Sequence, residues 1–324
     1  MSTDAKEYKG VRVLVTGAAG FIGSHLVERL HQAGADVSAV LRSKTNAWRL
    51  TRVAEEVVLY EADLTNMSAT QQVIADSRPE IVFNAASSTD ARRSFDVFDN
   101  VTRDTFETSK SVINACVGGG VRKFIHLGTY EEYGTTGAPF LESAREAPIS
   151  PYSLGKVMTA HMALLVGKLT PLKVSVVRLA ATFGPRQSYR MLIPNLIKAG
   201  IEKRDFDMND GEQVRDFLYI DDAVDGILKI GLNDSADGEI LNLGNGKGTK
   251  VRDIAEMINS AMGNPIRINF GAHEYRPLDG SLCYMSNDKA KKILRWEPAT
   301  ATIDAIQGTV SWYRENYKDL SERI

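Results

Sequence analysis

The chain has 324 residues, 43% hydrophobic and 25% charged, which describes one large or two modest globular domains with ample core. A formal net charge of −2 leaves no broad electrostatic footprint for nucleic acid or a membrane surface. Two cysteines, Cys116 and Cys283, lie outside any CxxC or Cys/His cluster, so neither a disulfide framework nor a metal site is expected. The N-terminal MSTDAKEYKG is polar, and no apolar run reaches the length of a membrane span. A reducing, cytoplasmic location is expected.

In chain order, apolar runs at 11–16, 37–41, 57–60, 81–84, 123–127 and 174–179 predict strands. Amphipathic stretches at 23–31, 68–75, 105–117 and 152–168 predict helices between them. Strands that alternate with helices, and that are apolar runs without strict alternation, imply a parallel sheet covered on both faces. After Leu179 the rhythm breaks at Gly184-Pro185, then resumes with a helix near 191–200, a smaller α/β region and a terminal helix near 303–317. The expected fold is a doubly wound α/β sheet over residues 1–180, rejoined by about 212–232. A smaller, partly interleaved unit takes 181–211 and 233–324.

The first strand runs into TGAAGFIG. Gly17, Gly20 and Gly23 lack the Cβ atoms that would keep a pyrophosphate from the amides at a helix N-terminus, and the last one lets helix and strand pack closely. A structural glycine turn is the plain alternative, but the strand before and FIGSHLVERL after supply the context that a dinucleotide site requires. At the end of the second strand a carboxylate would hold an NAD ribose. Here the residues are Leu41-Arg42-Ser43, and Asp36 is at the wrong end. A guanidinium suits a 2′-phosphate, so NADP(H) is expected over NAD(H), against the alternative of a solvated surface arginine.

Tyr152 and Lys156, in YSLGK, are four apart and share a helix face. A nearby cation stabilises a phenolate, which makes tyrosine a usable proton donor near neutral pH. Upstream, LGTYEEYG closes the strand KFIHL and places a hydroxyl, Thr129, and a carboxylate, Glu131, where ligands sit in such sheets. Tyr130, between them, is a further candidate for substrate contact. An anchoring tyrosine with an exposed lysine, and a loop glutamate, are the ordinary alternatives.

Together TGAAGFIG, Thr129, YSLGK and RDFLYIDD resemble the extended short-chain dehydrogenase/reductases, and within them the nucleotide-sugar epimerase/dehydratase family. The resemblance spans nearly the whole chain. It implies a modified Rossmann domain, a nucleotide-sugar domain, a homodimer and a catalytic set of Thr129, Tyr152 and Lys156. It also implies cofactor contacts from Phe21 and Ile22 in the glycine loop, from Asp63 and Leu64 at the adenine and from Ala85 and Ala86. Arg215 and Arg276 match positions that clamp the sugar nucleotide's diphosphate, although an ion pair of Arg215 with Asp216, Asp221 or Asp222 would also explain it. Departures stand beside these matches: Ala181 and Thr105 replace usual asparagines, Phe183 a tyrosine and Ser286 an aspartate.

Three reactions share that set: 4-epimerisation, 4,6-dehydration and reduction of a 4-keto sugar. The string Gly128 to Gly134 resembles the 4-keto-6-deoxyhexose reductases, while Glu131 alone also resembles the dehydratase base. Net reduction draws on NADPH, so Arg42 favours the reductase. A cofactor-sensing protein without chemistry, or a reductase of apolar substrates, would have less use for an intact Thr/Tyr/Lys set and for two arginines.

Overall fold

The structure is a computed structural model that describes residues 7–43, 47–88, 90–275, 278 and 280–321. Its first half alternates strand and helix: β1 (Arg12–Thr16), α1 (Phe21–Gln32), β2 (Asp36–Leu41), β3 (Val58–Glu61), α2 (Met67–Ser77), β4 (Ile81–Asn84), α3 (Phe98–Thr102), α4 (Thr108–Gly118), β5 (Lys123–Thr129), α5 (Pro151–Leu169) and β6 (Lys173–Leu179). The second half holds β7 (Ala181–Phe183), α6 (Leu192–Ile201), β8 (Phe206–Asp207), β9 (Val214–Arg215), β10 (Phe217–Tyr219) and α7 (Ile220–Leu232). It continues through β11 (Ile240–Leu243), β12 (Thr249–Lys250), α8 (Val251–Ala261), β13 (Ile268–Asn269), β14 (Leu282–Cys283), α9 (Asp288–Leu294) and α10 (Thr302–Ser321).

Seven strands form one parallel sheet in the order β11-β6-β5-β4-β1-β2-β3. Val13 and Val15 belong to the core on one face, with Leu26, Leu30 and Ile227 of α1 and α7, while Leu14 of the same strand joins Val73, Val112 and Ala163 of α2, α4 and α5 on the other. Both faces are therefore covered, and apolar residues occupy both faces of the strands rather than alternate positions. The chain is a doubly wound α/β protein with a Rossmann-like sheet. Strand order reverses between β1 and β4, the point at which such sheets open a crevice for ligands.

The helix expected over 105–117 is longer and interrupted: α3 and α4 are joined by a wide π turn, Arg103–Glu107. Residues 240–243, which fall in the stretch expected to belong to the second unit, instead form the edge strand of the large sheet beside β6. A separate apolar core lies between α6, α8 and α10, with Ile197, Ile254, Ile258, Ile306 and Tyr313 at its centre.

Trp296 ties the two regions together. Its ring is buried, and its indole Nε1 donates to the Asp222 carbonyl of α7 at 3.2 Å. The Asp222 carboxylate in turn accepts from the amides of Ala299 and Thr300. Trp296→Ala is expected to cost ~3–5 kcal/mol of unfolding free energy, by loss of burial and the cavity left behind. Chemical denaturation checks it, and a loss below about 1 kcal/mol would show the site to be loosely packed.

Candidate active site

The C-terminal ends of β1, β4 and β5 bring the expected residues to one edge of the sheet. After β1 the backbone turns at Gly17, whose φ of +63° already favours glycine. A Cβ there would lie 2.7 Å from the Ala85 carbonyl oxygen and the Ala86 amide nitrogen, so the loop and the chain leaving β4 are in backbone contact. Gly20 then caps α1 with no side-chain cap, leaving the first-turn amides for another acceptor. Phe21 and Ile22 are half-buried and Gly23 is buried beneath the loop, with Phe21 set edge-on against His25.

Beneath this loop lies a polar network not anticipated from sequence. Thr16 donates through its hydroxyl to Asn84 Oδ1 at 2.7 Å, and Ala86 N donates to the same hydroxyl. Asn84 Nδ2 donates to Ser109 Oγ at 3.0 Å. Thr105, set against Gly155 of α5, accepts from the Ser88 amide. An asparagine closing the apolar strand IVFN was the available signal.

The cofactor-side residues divide. Arg42, just past β2, is exposed and its Nη2 lies 3.5 Å from Asp104, which is also 3.3 Å from Arg103 Nε. Asp63 is exposed and accepts from the amide and hydroxyl of Thr65, bonds that hold its carboxyl below the usual range. Leu64 beside it is buried.

Thr129 ends β5 and caps a short 3₁₀ turn, Tyr130–Glu132. Its hydroxyl accepts from Glu131 N at 3.3 Å, and its own amide donates to Glu132 Oε1 at 2.8 Å. Tyr130 and Glu131 are half-buried, whereas Glu132 is fully enclosed. Helix α5 begins with a reciprocal cap: Ser153 N donates to Ser150 Oγ, Ser150 N donates to Ser153 Oγ, and Pro151 takes the first helical position. That start sets Tyr152 and Lys156 one turn apart, with the ammonium 5.8 Å from the phenol ring centroid. Burial, then Glu131 and Glu132, raise the Tyr152 phenol, and a hydrogen bond to Thr129 opposes them. The Lys156 ammonium is buried and donates to the Leu127 carbonyl at 2.6 Å; burial pushes it down to about 8. Thr129, Glu131, Tyr152 and Lys156 thus form one cluster beside the crevice, in which the phenol keeps its proton: burial and the two glutamates outweigh the lowering expected from the neighbouring ammonium.

On the second unit, Arg215 of β9 donates through Nη1 to the Val214 and Gly280 carbonyls, both at 2.8 Å. The acidic run nearby has other partners: Asp216 accepts from the amides of Asn245, Gly246 and Met285, and Asp222 from those of Ala299 and Thr300. Arg276 lies outside the described residues. No helix among the described residues is long and apolar enough to cross a membrane.

Residues 13–244 match the NAD dependent epimerase/dehydratase family. The chain is 32% identical to the UDP-glucose 4-epimerase of Mycolicibacterium smegmatis, over 94% of this chain and 99% of the relative. Among solved structures it resembles the UDP-glucose 4-epimerase of Thermotoga maritima bound to UDP-glucose, with a TM-score of 0.87, 27% identity and coverage of 94% and 99%. It also resembles the UDP-glucuronic acid 4-epimerase of Bacillus cereus in complex with UDP-glucuronic acid and NAD, with a TM-score of 0.86, 25% identity and the same coverage, 94% and 99%.

The Lys156 ammonium titrates lower in the folded protein, about 8, than its ordinary 10.5. A cation with a lowered folded value opposes folding in full below that lower value, and the penalty fades as pH climbs to the ordinary one. Lys156→Met is therefore expected to stabilise the cofactor-free protein at neutral pH by ~1–3 kcal/mol, less toward pH ~10. Denaturant titrations at the two pH values check this; a less stable variant at neutral pH contradicts it.

Proposed function

The chain belongs to the NAD-dependent epimerase/dehydratase family, and from that premise we propose that it reduces the C4 carbonyl of a nucleoside-diphosphate 4-keto-6-deoxyhexose with NADPH. The observation that carries the choice is the end of β2, where Arg42 is exposed and no carboxylate follows Leu41. A guanidinium there favours a 2′-phosphate, and an enzyme that consumes reductant at every turnover draws on NADPH. The fate of the two glutamates adds support. Elimination of water takes one proton from carbon and gives one to the leaving hydroxyl. Glu132, turned inward to the Thr129 amide and Arg178, is withdrawn from both tasks.

In this reading residues 1–180, with 212–232 and the edge strand β11, hold the dinucleotide, and the rest holds the sugar nucleotide. The glycine loop of Gly17, Gly20, Phe21, Ile22 and Gly23 receives the pyrophosphate, Asp63 and Leu64 flank the adenine, and Ala85 and Ala86 line the path to the nicotinamide. The bound cofactor supplies hydride to C4. Thr129 donates a hydrogen bond to the substrate oxygen, and Tyr152 delivers the proton that completes the alcohol. Lys156 holds the nicotinamide ribose and stabilises the phenolate that Tyr152 leaves behind. Tyr130 lies against the sugar, and Glu131 orients its hydroxyls rather than acting on C5. Arg215, with Arg276, meets the diphosphate. A cytoplasmic homodimer completes the proposal.

A second reading, 4-epimerisation, is favoured by the activity of the M. smegmatis relative, a UDP-glucose 4-epimerase. The two separate in one assay. With a 4-keto-6-deoxy sugar nucleotide, one NADPH should be oxidised for each alcohol formed, and the parent hexose should be untouched. Isomerisation of the parent hexose without net NADPH oxidation would establish the epimerase instead, and loss of water from it the dehydratase. Arg42→Ala should narrow the preference for NADPH over NADH about tenfold, ~1.4 kcal/mol. Tyr152→Phe should lower turnover by a factor of ~10²–10⁴ while cofactor affinity holds.

A further inference from the structure

Behind the reacting cluster lies a group of buried charges to which the reaction assigns no task. Arg178, on β6, is fully enclosed and donates through Nε to Glu132 Oε2 at 2.8 Å and through Nη2 to Glu146 Oε1 at 2.6 Å. Its guanidinium carbon stands 4.5 Å from the centroid of the Tyr133 ring, and Tyr133 donates to Asn242 Oδ1 at 2.7 Å. Replacing a buried ion pair by apolar residues is often neutral or stabilising, so stability alone does not account for two enclosed charges with a half-buried third, Glu146, beside them.

One bond leads from this group to the site, and a second from the site meets the strand beside it. Glu132 Oε1 accepts from the Thr129 amide at 2.8 Å, and Lys156 Nζ donates to the Leu127 carbonyl at 2.6 Å. Carboxylate and ammonium thus hold the peptide groups on either side of Gly128. A Cβ at Gly128 would collide with Glu132 Oε1, so only glycine lets the carboxylate lie against the strand.

We propose that Glu132, locked by Arg178, is a positioning residue: it fixes the turn that presents Thr129 and, through the peptide groups flanking Gly128, sets the surroundings of Lys156. The inference rests on the assignment of Thr129, Tyr152 and Lys156 made above. The charged and titratable groups around Lys156 are Tyr152 on its own helix, Glu131 and Glu132 on the turn, His126 on β5 and Arg178 on β6. His126 is held neutral far below its usual range by burial, Lys156 and Arg178. Burial lowers the Lys156 ammonium, and Glu132 is the charge that opposes the fall. Burial raises the Glu132 carboxyl above its ordinary range, and Arg178, which keeps its proton, opposes that rise together with the Thr129 amide.

The test is fluorescence titration with NADPH across a pH series spanning 8, on wild type, Glu132→Gln, Glu146→Gln and Lys156→Ala. Wild-type affinity should fall as pH rises through about 8, and Lys156→Ala should lose that fall. In Glu132→Gln the fall should move down by about one pH unit or more, because the opposing charge is gone. Glu146→Gln breaks the same buried group but not the Thr129 or Lys156 contacts, so its melting temperature should drop while the fall stays in place. Where Glu132→Gln does not fold, the double variant Glu132→Gln/Arg178→Met avoids stranding a charge and should show the same shift. An unmoved fall in both Glu132 variants, or an equal shift in Glu146→Gln, overturns the inference alone. A fall that survives in Lys156→Ala overturns the inference together with the assignment it rests on.

Discussion

A buried ammonium governs the arrangement of this protein's site. Lys156 has left water to donate to the Leu127 carbonyl, and burial has brought its titration to about 8. Such a charge persists only where its surroundings are fixed in advance. The reciprocal Ser150–Ser153 cap sets the start of α5, so the ammonium and the Tyr152 phenol lie one turn apart. The Thr129 turn is held by Glu132, and Glu132 by Arg178. Each element near the crevice is positioned to serve a cation that the fold itself disfavours, a conflict that marks functional rather than structural residues.

The sheet supplies the other half of the site. Reversal of strand order between β1 and β4 opens the crevice, and Gly17 allows the two strand exits to meet backbone to backbone. The network of Thr16, Asn84 and Ser109 satisfies polar groups beneath that contact. The crevice lies between the exposed Arg42, a screened surface charge, and the buried Lys156, which water does not screen. In the proposed reading, recognition of a 2′-phosphate and control of the proton are therefore tasks for different dielectric surroundings.

Much of this was legible in the chain. The run at 81–84 matches β4 residue for residue, and the other five expected strands lie within two residues of β1, β2, β3, β5 and β6, because buried parallel strands write themselves as apolar runs without strict alternation. The short strands β7, β8 and β12 to β14, of two or three residues each, were not legible individually, since pairing by so few residues leaves no periodicity. The edge strand β11 reads like the loop-rich region around it, and only its pairing with β6 returns it to the main sheet. At the site, Gly17, Thr129, Tyr152 and Lys156 could be named from motifs. The opposite fates of Glu131 and Glu132 could not: adjacent glutamates look alike in sequence, and a buried arginine far along the chain, on the neighbouring strand β6, separates them.

The central claim is that hydride comes from a reductant consumed at each turnover and arrives at C4 of the sugar. The most direct measurement uses NADPH carrying deuterium at the transferable position of the nicotinamide, with a 4-keto-6-deoxyhexose nucleotide, and reads the product by mass and proton resonance. The account predicts one deuterium per product molecule, located at C4, with equivalent loss of label from the cofactor. Product without deuterium, formed while the labelled cofactor is left intact, would contradict it.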